Sequence, residues 1–204
     1  MTDATDSFKN YVRNTRGRMF QSDFLEFFSK VHPSMPFIFW IPVTLGIMGY
    51  ALSHELTSVV KTAAMVPVGF LTWQFMEYFI HGYLFHWLPG PTGHGFHHKY
   101  PDDDTRLVMP LPVSITLASL IGGALWLVGR PDVMIPYWAG IVVGYLWYDL
   151  LHWATHHVDF KSEWGKKLRA HHMAHHFADY NKNYGISHMW MDRLLGTLLK
   201  RETK

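Results

Sequence analysis

Twelve of the fifteen histidines in this 204-residue chain fall in two windows. The first, HGYLFHWLPGPTGHGFHH, holds His81, His86, His94, His97 and His98. The second holds His152, His156 and His157, then His171, His172, His175 and His176. Neutral imidazole is the commonest metal ligand in proteins, because one ring nitrogen binds while the other is oriented by a neighbour. So many imidazoles, with so few carboxylates among them, point to a metal centre holding more than one ion. The chain has no cysteine. That excludes disulfides, zinc ribbons, iron–sulfur clusters and thiol catalysis together.

Spacing sorts these residues. His152 and His156 are four apart and share one helical face. His94, His97 and His98 form H-x-x-H-H, as do His172, His175 and His176. In a helix the outer pair of each triplet shares a face and the middle residue points off it, so one triplet serves two neighbouring ions. His81 and His86 are five apart, about 140° round a regular helix. They either serve different ions or straddle a helix end near Gly82. Ten histidines over two ions suit six-coordinate metals that keep a position open. Structural zinc prefers four ligands and has no redox chemistry, whereas imidazole also suits iron and copper. Open positions on redox iron beside a membrane imply oxygen activation on a lipid C–H bond.

The elements that must position these groups are helical and apolar. Residues 1–17 read as a polar arm, without the pattern of a cleavable signal peptide. Phe20, Phe24, Phe27, Phe28 and Val31 recur at helical spacing over 18–31, an amphipathic helix for the membrane interface. Four spans follow, at about 35–54, 60–81, 107–129 and 133–153. A bilayer core takes roughly 20 helical residues. The second and fourth spans reach that length only by including the ends that carry Glu77–His81 and Asp149–His156. Short connections pair the spans into two hairpins. Lys and Arg number five before the first span, one, two and one in the successive loops, and nine after the fourth. The positive-inside rule then puts both termini and the His-rich segments 81–106 and 152–204 in the cytoplasm. The expected fold is an all-α integral membrane protein, four transmembrane helices with a cytosolic helical cap around a His-rich di-metal site. Net charge is +2, and no basic stripe suggests nucleic acid.

The full pattern, H-x4-H, H-x-x-H-H, H-x3-H, H-x-x-H-H, resembles the fatty acid hydroxylase superfamily of membrane di-metal oxygenases. HGYLFH, HGFHHKYPDDDTRLVMP, GYLWYDLLHWATHH and HHMAHHFADYNKNYGIS are most similar to its fatty acid 2-hydroxylases, which act on sphingolipid acyl chains. The resemblance covers about residues 70–197. It implies ten ligands: His81, His86, His94, His97, His98, His152, His156, His172, His175 and His176. It implies two iron ions, with zinc able to occupy the site after purification, together with O2 and a membrane lipid substrate. Fungal and animal relatives carry an N-terminal cytochrome b5 domain with a His-Pro-Gly-Gly motif, which this sequence lacks. Electrons are therefore expected from a separate reductase, ferredoxin or cytochrome b5. The short form looks bacterial, favouring a bacterial inner membrane over endoplasmic reticulum. A desaturase or a sterol- or carotenoid-type hydroxylase of the same superfamily is the neighbouring alternative. A membrane metal-binding or transport protein is the non-enzymatic one, though a transporter places ionisable ligands near mid-bilayer.

Other residues carry smaller expectations. Glu77, one turn before His81, and Asp149, three residues before His152, are candidates to orient an imidazole through its second nitrogen. His157 and His171 read as spare surface histidines, His188 as surface or packing, and His32 and His54 as interfacial. The run Asp102–Asp104 reads as a solvated turn. Tyr145 and Tyr148 are placed either to line an acyl tunnel or to pack at the interface.

Overall fold

A computed structural model describes residues 16–86 and 93–199. Most of the expected polar arm, and the tip of the first histidine loop at 87–92, lie outside the described residues. Among the described residues the chain is helical, without strands. The helices are α1 (Asp23–Ser29), α2 (Met35–Ser53), α3 (Val59–Phe79), α4 (Gly93–Lys99), α5 (Leu111–Leu127), α6 (Pro131–His157), α7 (Glu163–Phe177) and α8 (Trp190–Leu194). A π-helical stretch, Ile80–Phe85, extends α3, and a 3-10 turn, Asp104–Arg106, precedes α5.

Their ends follow local chemistry. Ser58 and Ser162 cap α3 and α7 by accepting the Lys61 and Gly165 N–H groups. Pro131 opens α6, where a missing N–H costs nothing. Gly129, with φ of 73°, supplies the left-handed turn between α5 and α6. The amphipathic helix expected over 18–31 is shorter, seven residues, because 18–22 and 30–31 are not helical.

Three helical segments are long and apolar enough to cross a bilayer: Met35–Ser53, Val59–Phe85 and Asp104–Leu127. Their outward side chains, Ile38, Ile41, Leu45, Leu71 and Leu120 among them, are exposed, a surface suited to lipid. The expected fourth span, α6, has the length at 27 residues but lies outside that apolar set. The reason is its position. Helix α6 is the hub, packed by α2, α3, α5 and α7, and 14 of its residues are buried. Its side chains answer to protein neighbours, so Tyr145, Tyr148, Asp149 and His152 replace aliphatic residues.

The widest interface joins α3 to α6, which belong to different hairpins. Glycines bring the two backbones together. A Cβ on Gly140 would lie 2.2 Å from the Val66 carbonyl oxygen, and one on Gly69 2.0 Å from that of Tyr137. Gly140 and Gly144 form the small-x-x-x-small spacing that permits close helix approach where lipid supplies no hydrophobic drive. Around this seam pack Trp40, Trp73, Ile141, Val142, Tyr145 and Tyr148, with Ile186 reaching in from the segment before α8.

Candidate metal centre

Ten histidines converge into two groups at the ends of α3, α4, α6 and α7. His81, His86, His94, His98 and His175 form one cage, and His97, His152, His156, His172 and His176 form the other. Within each, one ring nitrogen per residue lies within 4.8 Å of all the others. In the first cage the Nε2 atoms of His81, His86 and His98 lie 3.1, 3.1 and 3.0 Å from that of His94. In the second, His97 Nε2 lies 3.1 Å from His176 and 3.2 Å from His152, and His156 lies 2.9 Å from His172. Imidazole nitrogens bound about 2.0–2.1 Å from one ion sit about 3 Å apart at right angles and about 4 Å apart when opposite. The donor atoms of both cages have that spacing. The residues therefore fit a metal ion in each cage.

The five-residue gap in the first pair is resolved by backbone, not by a second ion. Over Ile80–Phe85 the chain is π-helical, with i→i+5 bonding, so residues five apart return to one face. His81 and His86 thus enter the same cage. Gly82 is needed there, since a Cβ would sit 2.6 Å from the Tyr184 ring.

Backbone carbonyls orient two of the rings. His81 Nδ1 donates to the Tyr184 carbonyl, and His175 Nδ1 to the Lys182 carbonyl at 2.7 Å. Each bond fixes the tautomer that turns an Nε2 lone pair into the cage. His175 Nε2 is buried and has no hydrogen-bond partner, the condition expected of a ligand atom. Burial first, then the neighbouring imidazoles, hold His94, His97, His98, His172, His175 and His176 well below the ordinary imidazole range. They are neutral, as metal ligands must be.

The segment that supplies those carbonyls is held by two buried acids. Glu77 accepts from the Ile186 and Ser187 N–H groups at 2.9 and 2.7 Å and from the Ser187 hydroxyl. It reaches no imidazole nitrogen directly; its effect on His81 runs through the 184–187 segment. Asp192 accepts from the Tyr184 and Gly185 N–H groups, each at 2.8 Å, from the Thr197 hydroxyl at 2.7 Å, and from His171 Nε2 at 3.0 Å. Nothing in the spacing of Asp192 marked it beforehand. Asp149 is fully buried, and neither of its carboxylate oxygens has a hydrogen-bond partner among the described residues.

Two surface expectations fail. His171 is buried on Asp192, because one position before a ligand on α7 turns it to the loop side. In the acidic run Asp103 is buried, accepting from the Thr105 N–H and hydroxyl and lying beside Arg106. His157 is exposed and its ring lies tilted against Trp153; His32 and His54 are exposed; His188 donates to the Gln74 carbonyl. Tyr180, unmarked by the sequence pattern, lies 3.9 Å from the His86 ring centroid.

An apolar cavity of about 730 Å³ lies beside the cages, lined by His94, His97 and His152 together with Phe20, Leu25 and Phe28. Arg106, Met109 and Tyr148 also line it. Its size is that of a site for a sizeable organic ligand.

The fatty acid hydroxylase family model matches residues 66–197. The dihydroceramide fatty acyl 2-hydroxylase FAH2 of Arabidopsis thaliana is 35% identical over 190 residues, covering 89% of this chain and 79% of that protein. The ceramide very long chain fatty acid hydroxylase scs7 of Schizosaccharomyces pombe is 33% identical, covering 86% and 53% respectively. The mouse fatty acid 2-hydroxylase is 32% identical, covering 91% and 57%. A solved structure of full-length scs7p, with only its hydroxylase domain visible, superposes with a TM-score of 0.80 at 29% identity over 89% of this chain and 72% of that one.

Proposed function

The chain belongs to the fatty acid hydroxylase family, and we propose that it is an iron- and O2-dependent membrane oxygenase that hydroxylates a lipid acyl chain at the carbon next to the carbonyl. One observation carries this reading: an apolar cavity large enough for an acyl chain is lined by His94 of one cage and His97 and His152 of the other. The relatives' names specify dihydroceramide, ceramide and fatty acid chains, so an acyl group of a sphingolipid is the proposed substrate.

His81, His86, His94, His98 and His175 would hold one iron ion, and His97, His152, His156, His172 and His176 the other. When bound, the irons supply the redox chemistry that uses O2 to oxidise a C–H bond, with electrons from a separate reductase, ferredoxin or cytochrome b5. Zinc competes for the same imidazoles during purification. The protein's own contribution is placement. The Tyr184 and Lys182 carbonyls fix His81 and His175. Phe20, Phe28 and Met109 keep water from the chain beside the cages, and the cavity wall presents one methylene at reacting distance.

Residues 18–204 form the hydroxylase domain in this proposal, behind a polar arm over 1–17. Helix α6 is the fourth span, screened from lipid by α2, α3 and α5, and α1 lies in the interface. Both termini and the cages face the cytoplasm, as the Lys and Arg distribution favours. The relatives described above come from a plant, a fungus and a mammal, so the expectation of a bacterial inner membrane draws no support from them.

The test is lipid mass spectrometry of a host expressing the chain against one expressing His172→Ala. A gain of one oxygen in an acyl chain, lost in the variant, supports the reading. Loss of two hydrogens instead would make the enzyme a desaturase. Metal flux in proteoliposomes with no lipid product would replace the oxygenase with a transporter.

A further inference from the structure

We propose that Arg106 anchors the polar end of the acyl substrate and so sets which methylene stops beside the cages; this rests on the acyl hydroxylase reading above. Arg106 lines the cavity together with His94, His97 and His152, and its side chain is 1% exposed. Nearly everything else on that wall is hydrocarbon. Nη1 donates to the Ser29 hydroxyl at 2.8 Å and Nη2 to a Glu26 carboxylate oxygen. Nε makes no hydrogen bond and lies 3.8 Å from Asp103 Oδ2. Arginine has five N–H donors, so the buried fork keeps donors that nothing among the described residues uses.

The charge around it decides what those donors fit. Glu26 and Asp103 lie against Arg106, and Lys30 lies 3.4 Å from Glu26. Arg18 also faces Glu26 and is itself paired with Asp23, so three cations and three anions balance. The fork thus offers directed donors without net charge, which matches the neutral carbonyl of an amide or ester and gives no excess attraction to a free carboxylate. Its position is tied to the metal site, because the guanidinium packs 4.6 Å from the centre of the Phe96 ring, and Phe96 immediately precedes His97 on α4. An acyl carbonyl held at this fixed point leaves the carbons of the chain at fixed depths in the cavity. A buried donor left unpaired is costly, so sites built to hydrogen-bond a substrate group reject analogues that lack it.

The test reads where the hydroxyl goes. The full chain is expressed in a host whose lipids are analysed by fragmentation, after the wild type has been shown to make a monohydroxylated acyl product. Absence of any such product would refute the hydroxylase reading itself, apart from this proposal. The key variant is Glu26→Gln with Asp103→Asn and Arg106→Gln, which removes the buried cation together with both of its acidic partners. It should insert and hold metal as the wild type does, yet spread the hydroxyl over several carbons, with the ratio of 2- to 3-hydroxy product falling about 10-fold or more. Arg106→Lys should restore part of that ratio. If product yield falls while its position stays fixed, Arg106 only secures α1 and the proposal fails. A second arm needs no variant: wild-type protein offered an alkyl ether of equal chain length, without the carbonyl, should lose position selectivity. Hydroxylation of the ether at the same carbon would also overturn the proposal.

Discussion

His97 and His175 are each the middle residue of an H-x-x-H-H triplet, and each sits in the cage built by the other triplet's outer pair. His97 joins His172 and His176; His175 joins His94 and His98. Helix geometry requires a residue three along to point off the shared face of an i, i+4 pair, and here the imidazoles of α4 and α7 meet so that each triplet's outer pair takes the other's stray ring. Neither cage can be completed by one helix alone.

Replacing either crossing residue should therefore strike the cage it enters, not the triplet it comes from. His97→Ala is expected to cost the ion held by His152, His156, His172 and His176, and His175→Ala the ion held by His81, His86, His94 and His98. Loss of an orienting partner alone typically costs about 10–100-fold in affinity or activity, so loss of a direct ligand should exceed that. Metal content per chain, with X-ray absorption on the remaining ion, checks this. If both variants emptied the same cage, the partition would be wrong.

Much of this centre was legible in the sequence because helical periodicity is a local property. The i, i+4 pairs and the off-face middle residues follow from chain spacing alone. The grouping of His81 with His86 did not, since it depends on a π-helical stretch that Gly82 allows against Tyr184. Asp192 was invisible for a different reason: its partners Tyr184, Gly185 and His171 are set by a loop fold, and a lone aspartate in an amphipathic segment looks like surface. Of the four expected spans, three are long and apolar enough; α6 falls short because its many buried positions carry polar and aromatic side chains such as Tyr145, Tyr148, Asp149 and His152.

The two buried aspartates should behave oppositely. Asp192→Ala would strand the Tyr184 and Gly185 N–H groups and His171, costing about 3–5 kcal/mol, the scale for removing one partner from a buried charged network. It should also lower metal occupancy, because the Tyr184 carbonyl orients His81. Asp149 makes no hydrogen bond to an imidazole among the described residues, so Asp149→Asn should leave metal content unchanged and stability equal or raised. Thermal unfolding and metal analysis of the pair are the measurement. Metal loss in Asp149→Asn with none in Asp192→Ala would reverse the assignment.

Two glycines separate packing from lipid exposure. A side chain on Gly140 meets the Val66 backbone, whereas a Cβ on Gly46 of α2 meets nothing within 4 Å. Gly140→Leu is expected to cost at least about 1–3 kcal/mol from overpacking, forcing α3 from α6 and misplacing His81 and His152 together. Gly46→Leu should be neutral in folding and activity assays.

Glu26 ties α1 over the cavity, and its acidity gives that tie a pH range. Burial alone would raise its carboxyl, but the Phe20 and Met19 N–H groups, Arg106 and Lys30 hold it down to about 2 from an ordinary 4.5. Arg18 also faces it. A lowered carboxyl contributes stability that is complete above its unfolded value and is lost as pH falls through the folded one. Cleavage by pepsin around Phe24 and Leu25 should therefore rise between about pH 4.5 and 2, and Glu26→Gln should be cleaved readily across that range. Equal protection of wild type and variant would show that α1 is held by something else.

The last comparison sets His171 against His157, neighbours in chain of ligands but not in role. His157 ends α6, is exposed, and touches Trp153; His157→Ala should change stability by no more than about 0.5 kcal/mol, the usual range for surface positions, and keep metal and activity. His171 is buried with its Nε2 3.0 Å from Asp192, and its carbonyl accepts from the Asn183 side chain at 3.1 Å. His171→Ala leaves an Asp192 oxygen short of a partner and should cost about 1–3 kcal/mol. Activity should fall with it, since the same Asp192 positions the Tyr184 segment that orients His81. His171→Gln, whose amide can still donate, should recover part of both. An inactive His157→Ala together with an active His156→Ala would mean that the α6 ligands are displaced by one residue, and the shared face of His152 and His156 would no longer explain the second cage.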